Sequence, residues 1–244
     1  MNLKERTEEQ SLQIAATSDI HWPQFKELFI EALSHLPNNI DLFLLAGDLV
    51  YRGNQSGMQP LVEQLEAAKI DCPIFAVFGN DDYDSIKEQL QTIASETITF
   101  LDDEIGFIKI QGEQLSIVGS RGVLDQPTYW QARNLPGIRK QYDSRITHLN
   151  ELLSKAHNQT KHTILLTHYA PTFATMLGEQ KRSFKQMGSQ RVESLLRRYK
   201  PTMAIHGHCH NGKKQGIVGS IPIYNVALPL NGRIVTIEFP PKEE

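Results

Sequence analysis

The chain has 244 residues, 40% hydrophobic and 22% charged, with a formal net charge of -3. That is the composition of a globular protein able to bury a large core, without low-complexity tracts. Its charge balance offers no field for nucleic acid or an anionic membrane, so neither is indicated as a partner. The two cysteines, Cys72 and Cys209, form no CxxC pair and fit a reducing compartment. The stretch "MNLKERTEEQSLQ" lacks the form of a signal peptide, and apolar runs such as "DLFLLAGDLV" are too short to span a bilayer. The expected location is cytoplasmic.

In chain order, "LQIAAT" (12–17) reads as a strand and "PQFKELFIEALSHL" (23–36) as a helix, with Pro23 at or near its start. "DLFLLA" (41–46) is a strand, "QPLVEQLEAAK" (59–69) a helix, "PIFAVF" (73–78) a strand and "DSIKEQLQTIAS" (84–95) a helix. Alternation of near-continuous apolar strands with helices predicts β-α-β units and a parallel sheet buried on both faces. "GFIKIQGEQLSIVGS" (106–120) predicts an antiparallel pair about Gly112-Glu113. Residues 121–141 show no sustained period and read as a long loop, followed by a helix over 143–157. "HTILLT" (162–167) is a strand, 169–186 a second long loop, 188–200 a helix and "TMAI" (202–205) a strand. Residues 216–239 alternate short strands with glycine turns, and "PPKEE" (240–244) is expected to fray. No linker divides the chain, so residues 1–244 are expected to form one domain.

The polar residues of interest follow the apolar strands. Asp19 and His21 follow the first, Asp48 the second, Asn80, Asp81 and Asp82 the third, His168 the next, and the run His206-Gly207-His208-Cys209-His210 the last. Ligands of open α/β sheets bind outside the carboxyl ends of the strands. Mixed imidazole and carboxylate donors suit Mn, Fe, Zn or Ni rather than Mg or Ca. Such a set exceeds one tetrahedral site and suits two ions roughly 3.5–4 Å apart with a bridging carboxylate. Taken singly, Asp19 reads as a helix cap, Asp48 as a turn residue, Asp82 or Asp84 as a cap of the following helix, and His168 as a hydrogen-bonded core histidine. His206 is expected among core or supporting groups, and Cys209 is expected to pack inward.

The order Asp19-x-His21, Gly47-Asp48, Gly79-Asn80-x-Asp82, His168 and Gly207-His208-x-His210 resembles calcineurin-like metallophosphoesterases, over most of the chain. The resemblance implies an α/β fold, a four-layer α-β-β-α sandwich of two mixed sheets flanked by helices. It implies one divalent ion held by Asp19, His21 and His210, a second by Asn80, His168 and His208, and Asp48 bridging them. The function it implies is hydrolysis of a small phosphorylated substrate, a phosphodiester ahead of a phosphomonoester, by attack of a metal-bridging hydroxide. The alternative is a weak or inactive binding scaffold on the same fold, which the filled ligand positions argue against.

Asp48, Asn80 and Asp81 are the candidate catalytic residues. Many family members carry His where this chain has Asp81, and that His is assigned to protonating the leaving group. An Asp beside cations stays ionised, so another donor or a good leaving group is needed; His148, His157 and His162 are the candidates. Arg52 and Arg121 are candidate phosphate contacts. Protein phosphatases of the family with a Gly-Asp-x-Val-Asp-Arg-Gly block use the Arg at the offset of Arg52, but here Tyr51 replaces the Asp. The loops 121–141 and 169–186 are expected to wall the site, with Tyr129, Trp130 and Phe173 as stacking groups and "KRSFKQ" (181–186) as a solvated rim.

Overall fold

The computed structural model describes residues 11–110 and 112–241. The charged N-terminal stretch up to Gln10 and the expected fraying over 242–244 lie outside the described residues. The first strands appear where apolar runs predict them: β1 (Leu12–Thr17), β2 (Leu42–Leu45) and β3 (Ile74–Ala76). They are separated by α1 (Lys26–Ser34) and α2 (Met58–Ala67), and followed by α3 (Lys87–Ala94) and the two-residue β4 (Thr99–Phe100). β1 to β4 pair in parallel, and β11 (Val235–Phe239) adds antiparallel beside β1.

The second sheet begins with the antiparallel pair β5 (Glu104–Ile110) and β6 (Glu113–Ser120). β7 (His162–Thr167), β8 (Met203–His206) and β10 (Ile221–Asn225) continue it in parallel, and β9 (Gln215–Val218) closes it antiparallel to β10. The orders are β11-β1-β2-β3-β4 and β5-β6-β7-β8-β10-β9.

Strand alternation explains the layering. Ile14, Leu42, Leu44, Phe75, Ile117, Ile164, Leu166 and Ile205 meet in one buried cluster between the sheets. Their neighbours in sequence point the other way. Ala15, Phe43, Leu45 and Ala76 pack with Phe29 of α1 and Leu61 and Leu65 of α2. Val118, Leu165 and Ala204 pack with Tyr142, Leu149 and Leu153 of α5 (Ile138–Gln159) and Leu195 and Leu196 of α6 (Gln190–Tyr199). Helices therefore cover both outer faces of two mixed sheets.

Two expectations are corrected. Residues 121–141 are not one long loop: α4 (Tyr129–Asn134) lies inside them, and α5 starts at Ile138, earlier than the predicted 143. The reason is local. Thr128 accepts from the backbone N–H of Gln131 at 3.2 Å while the Gln131 side chain accepts from the Thr128 backbone N–H at 2.9 Å, a reciprocal cap that nucleates α4. Gly137 then turns the chain with φ +81 directly ahead of α5. Nor do Asp82 or Asp84 cap the third helix, which has no side-chain cap. A further short helix, α7 (Leu228–Asn231), interrupts the C-terminal strands. No helix among the described residues is long and apolar enough to cross a membrane.

Leu44 is fully buried between the sheets. Leu44→Ala is expected to lower stability by about 2–5 kcal/mol through the cavity it leaves, read as a reduced urea midpoint with an unchanged slope.

Candidate metal centre

The carboxyl ends of β1, β2 and β3 in one sheet and of β7 and β8 in the other meet at one place. Backbone hydrogen bonds lace the turns there. Asp19 N–H donates to Gly47 O, His21 N–H to Asp48 O and Trp22 N–H to Leu49 O, each at 2.9 Å. Asp48 Oδ1 accepts from the backbone N–H of Asp81 at 2.6 Å, and Asp19 Oδ2 from that of His208 at 2.9 Å. The last bond joins the first sheet to the second.

These turns are bent into conformations that side chains rarely adopt. Eight non-glycine residues among those described have positive φ, and Asp19, His21, Asp48, Arg52 and His208 are five of them. Such residues persist only where surrounding contacts over-determine them, and they gather at functional sites.

The donor atoms converge in two groups, Asp19 with His21 and His210, and Asp48 with His168 and His208, each within 4.8 Å. His210 Nε2 is 3.0 Å from Asp19 Oδ1, and His21 Nε2 is 3.8 Å from the same oxygen. Asp48 Oδ2 lies 3.7 Å from His21 Nε2 and 3.3 Å from His168 Nε2, so it faces both groups. Asn80 Oδ1 completes the second at 3.1 Å from His168 Nε2. His21, Asp48 and Asp81 form a third grouping on the same scale.

The surroundings orient the rings. His168 Nδ1 donates to Ala46 O at 2.9 Å, which fixes the ring with Nε2 towards Asp48 and Asn80. His208 packs edge-on against His168 and Tyr169, both with centroids 5.0 Å away. Burial alone would lower the His168 pKa, but the Asp48 carboxylate outweighs it and raises it to about 9. Burial, reinforced by the His168 charge, drops His208 to about 3. Burial would raise Asp19, yet its bond to His210 and the His168 charge hold it well below the usual carboxylate range. Imidazoles set against carboxylates in this way are a donor set that fits borderline divalent cations.

Asp82 explains the shape of the Asp48 turn, a task its sequence position did not reveal. Fully buried, it accepts from the backbone N–H groups of Leu49 and Val50, both at 3.1 Å, and Gly79 at 2.8 Å. Burial and the neighbouring Asp48 push its pKa up to about 6. The only sequence signal was its place in Gly79-Asn80-x-Asp82.

Other candidates fall as follows. Buried His206 uses both ring nitrogens on protein partners, Thr175 Oγ1 at 2.8 Å and Gly207 O at 2.7 Å. Cys209 is buried against Ala170 and Met176. Arg52 is exposed, with its guanidinium 4.9 Å above the Tyr51 ring. Arg121 instead engages Asp84 at 2.9 Å and Asp82 O at 3.1 Å, so its fork braces the 82–84 turn.

The structure does not bring His148, His157 or His162 to the centre. His148 is exposed on α5 beside Asp103, His157 lies against Tyr199, and His162 starts β7, at the opposite end of that strand from His168. The two loops expected as walls are joined by Gln126 N–H to Lys185 O at 2.7 Å, and Asp125 N–H donates to Gly188 O, just beyond the second, at 3.1 Å. Gln131 ties α4 to Tyr169, which touches His208, while Tyr129 and Trp130 are exposed and Phe173 packs on Phe184.

The sequence model described as calcineurin-like phosphoesterase matches residues 12–212, a span that includes every donor above. The chain belongs to that family. Among solved structures it is similar to phosphopantetheinyl hydrolase from Mycobacterium tuberculosis, with TM-score 0.69 and 15% identity over 92% of this chain and 96% of that one. It is also similar to a putative 5'-nucleotidase from Staphylococcus aureus, with TM-score 0.59 and 12% identity over 88% and 48%. GAP50, the anchor in the inner membrane complex of Plasmodium, gives TM-score 0.60 and 13% identity over 90% and 72%. At these identities the likeness concerns the fold. No curated protein sequence matches the chain closely enough to count as a relative.

Glycine at 79 is required by contact, since a Cβ there would run into the Asp48 carboxylate and backbone. Gly79→Ala is expected to keep the far-UV spectrum and to weaken Mn²⁺ binding by more than about tenfold in calorimetric titration.

Proposed function

We propose that this chain is a dinuclear metal-dependent phosphoric ester hydrolase, its residues acting as one domain in a reducing, cytoplasmic setting. What supports this most is the position of Asp48, whose Oδ2 faces His21 on one side and His168 on the other at 3.7 and 3.3 Å. In this reading Asp19, His21 and His210 hold one ion, Asn80, His168 and His208 the other, and Asp48 both. Two divalent cations of the Mn, Fe, Zn or Ni type supply, when bound, an acidified water and positive charge against phosphate oxygens.

The chain's own residues do the rest. Asn80 turns its carbonyl oxygen to His168 and its amide to Asp81, 3.3 Å away. In this reading Arg52, whose backbone N–H bonds Asp81 Oδ2 and whose side chain is exposed, is the candidate to meet a phosphate oxygen of the substrate. Burial would raise the Asp81 pKa, but His21 and the Arg52 backbone N–H hold it down. Asp81 is therefore ionised and carries no proton for the leaving group. Its negative charge also disfavours a dianionic monoester relative to a monoanionic diester. Two free thiols, at Cys72 and Cys209, accord with the reducing setting.

The scaffold alternative predicts no turnover. Hydrolysis of bis-p-nitrophenyl phosphate with added Mn²⁺, faster than that of p-nitrophenyl phosphate, is expected. Asp48→Asn should lower kcat/KM by about 10²–10³-fold, the scale of losing one preorganised electrostatic group, and release metal from both positions. An Asp48→Asn variant with both ions and full turnover would end this reading. Across aryl esters the rate is expected to fall steeply as the leaving phenol's pKa rises, and a flat profile would mean that some group does donate a proton.

A further inference from the structure

Position 81 is where the chain departs from the Gly-Asn-His pattern, and the chemistry proposed above gives the residue no proton to transfer. We infer that Asp81 is a positioning residue for His21, the outer carboxylate that turns the ring so that Nε2 points at the cation shared with Asp19 and His210. This rests on the dinuclear reading.

The His21 ring has two distinct sides. On its Nε2 side are Asp19 Oδ1 at 3.8 Å and Asp48 Oδ2 at 3.7 Å. On its Nδ1 side is Asp81 Oδ2 at 3.2 Å. Nδ1 is buried and makes no well-directed hydrogen bond among the described residues; the Asp81 oxygen lies close to it but off the N–H line. Asp81 Oδ2 is thus the near acceptor towards which a small rotation of the ring would aim the Nδ1–H. The ring is boxed by Phe25, Tyr51 and His210, with centroids 6.1, 6.1 and 5.7 Å away.

His168 is oriented by a backbone carbonyl, Ala46 O, on its Nδ1. At His21 the same nitrogen faces a side-chain carboxylate instead. Metal-ligating histidines ordinarily donate their second N–H to such an acceptor, which fixes the tautomer and raises the basicity of the ligating nitrogen. A histidine at position 81 would bring a ring in place of that carboxylate.

Asp81 is itself held in place. Oδ2 accepts from Arg52 N–H at 3.1 Å, Oδ1 from Asn80 Nδ2 at 3.3 Å, and its own N–H donates to Asp48 Oδ1 at 2.6 Å. One residue thus touches three candidate ligands, His21, Asn80 and Asp48. Although His21, Asp48 and Asp81 lie close together, Asp48 and Asp81 approach opposite nitrogens of the ring.

The test is a Mn²⁺ titration of chelator-treated full-length protein, with free Mn²⁺ read by electron paramagnetic resonance. The wild type should take up two ions. Asp81→Ala should bind one of them about 10- to 100-fold more weakly and leave the other within about threefold. Asp81→Asn keeps an acceptor oxygen without the charge and should show a smaller loss at the same ion. It decides the matter alone if circular dichroism shows Asp81→Ala unfolded. Unchanged affinities, or equal losses for both ions, overturn the inference. So does a steeper dependence of rate on leaving-group pKa in Asp81→Ala than in the wild type, because that would make Asp81 a proton donor. A wild type that binds fewer than two ions overturns the dinuclear reading itself, and this inference with it.

Discussion

Everything at this centre depends on placing the Asp48 carboxylate between two imidazoles, away from water. A buried carboxylate is costly unless it is paired and hydrogen-bonded. The molecule meets that demand from below and from the side. Asp82 gathers the N–H groups of Leu49, Val50 and Gly79 under the turn, and the Asp81 N–H caps one Asp48 oxygen. The remaining oxygen faces His21 and His168. Left-handed backbone at Asp19, His21, Asp48 and His208 costs on the order of 1–3 kcal/mol at each position. The interlocking turn bonds and the two sheets beneath them hold that strain.

The donors come from both sheets. Asp19, His21, Asp48 and Asn80 follow strands of the first, while His168, His208 and His210 follow strands of the second. The apolar layer of Leu44, Leu166 and Ile205 between them therefore sets the spacing of the polar atoms at its edge. Core packing and site geometry are one constraint.

Much of this was legible in the residues. β1 and β7 occupy the apolar runs predicted for them, because a strand buried on both faces leaves a continuous hydrophobic signature. The residues that cluster at the centre could be picked out because each follows such a run. α4 was missed even though Thr128 and Gln131 spell a capping box, since its exposed Tyr129 and Trp130 give no amphipathic stripe. The two-residue β4 carries no period to read. Asp82 as the anchor of a turn more than thirty residues away, and Asp81 as the neighbour of His21, are contacts of tertiary origin. Arg121 looked like a phosphate fork, but only the folded chain shows Asp84 already engaging it.

The hydrogen bonds from the His208 backbone to Asp19 and from His168 to Ala46 O cross from one half of the sandwich to the other. Cations bridging the same seam would act as a clasp. Because such ions bind the assembled halves and not the separated ones, their concentration would set how tightly the halves stay closed. On the dinuclear reading, removing metal would lower thermal stability as well as activity.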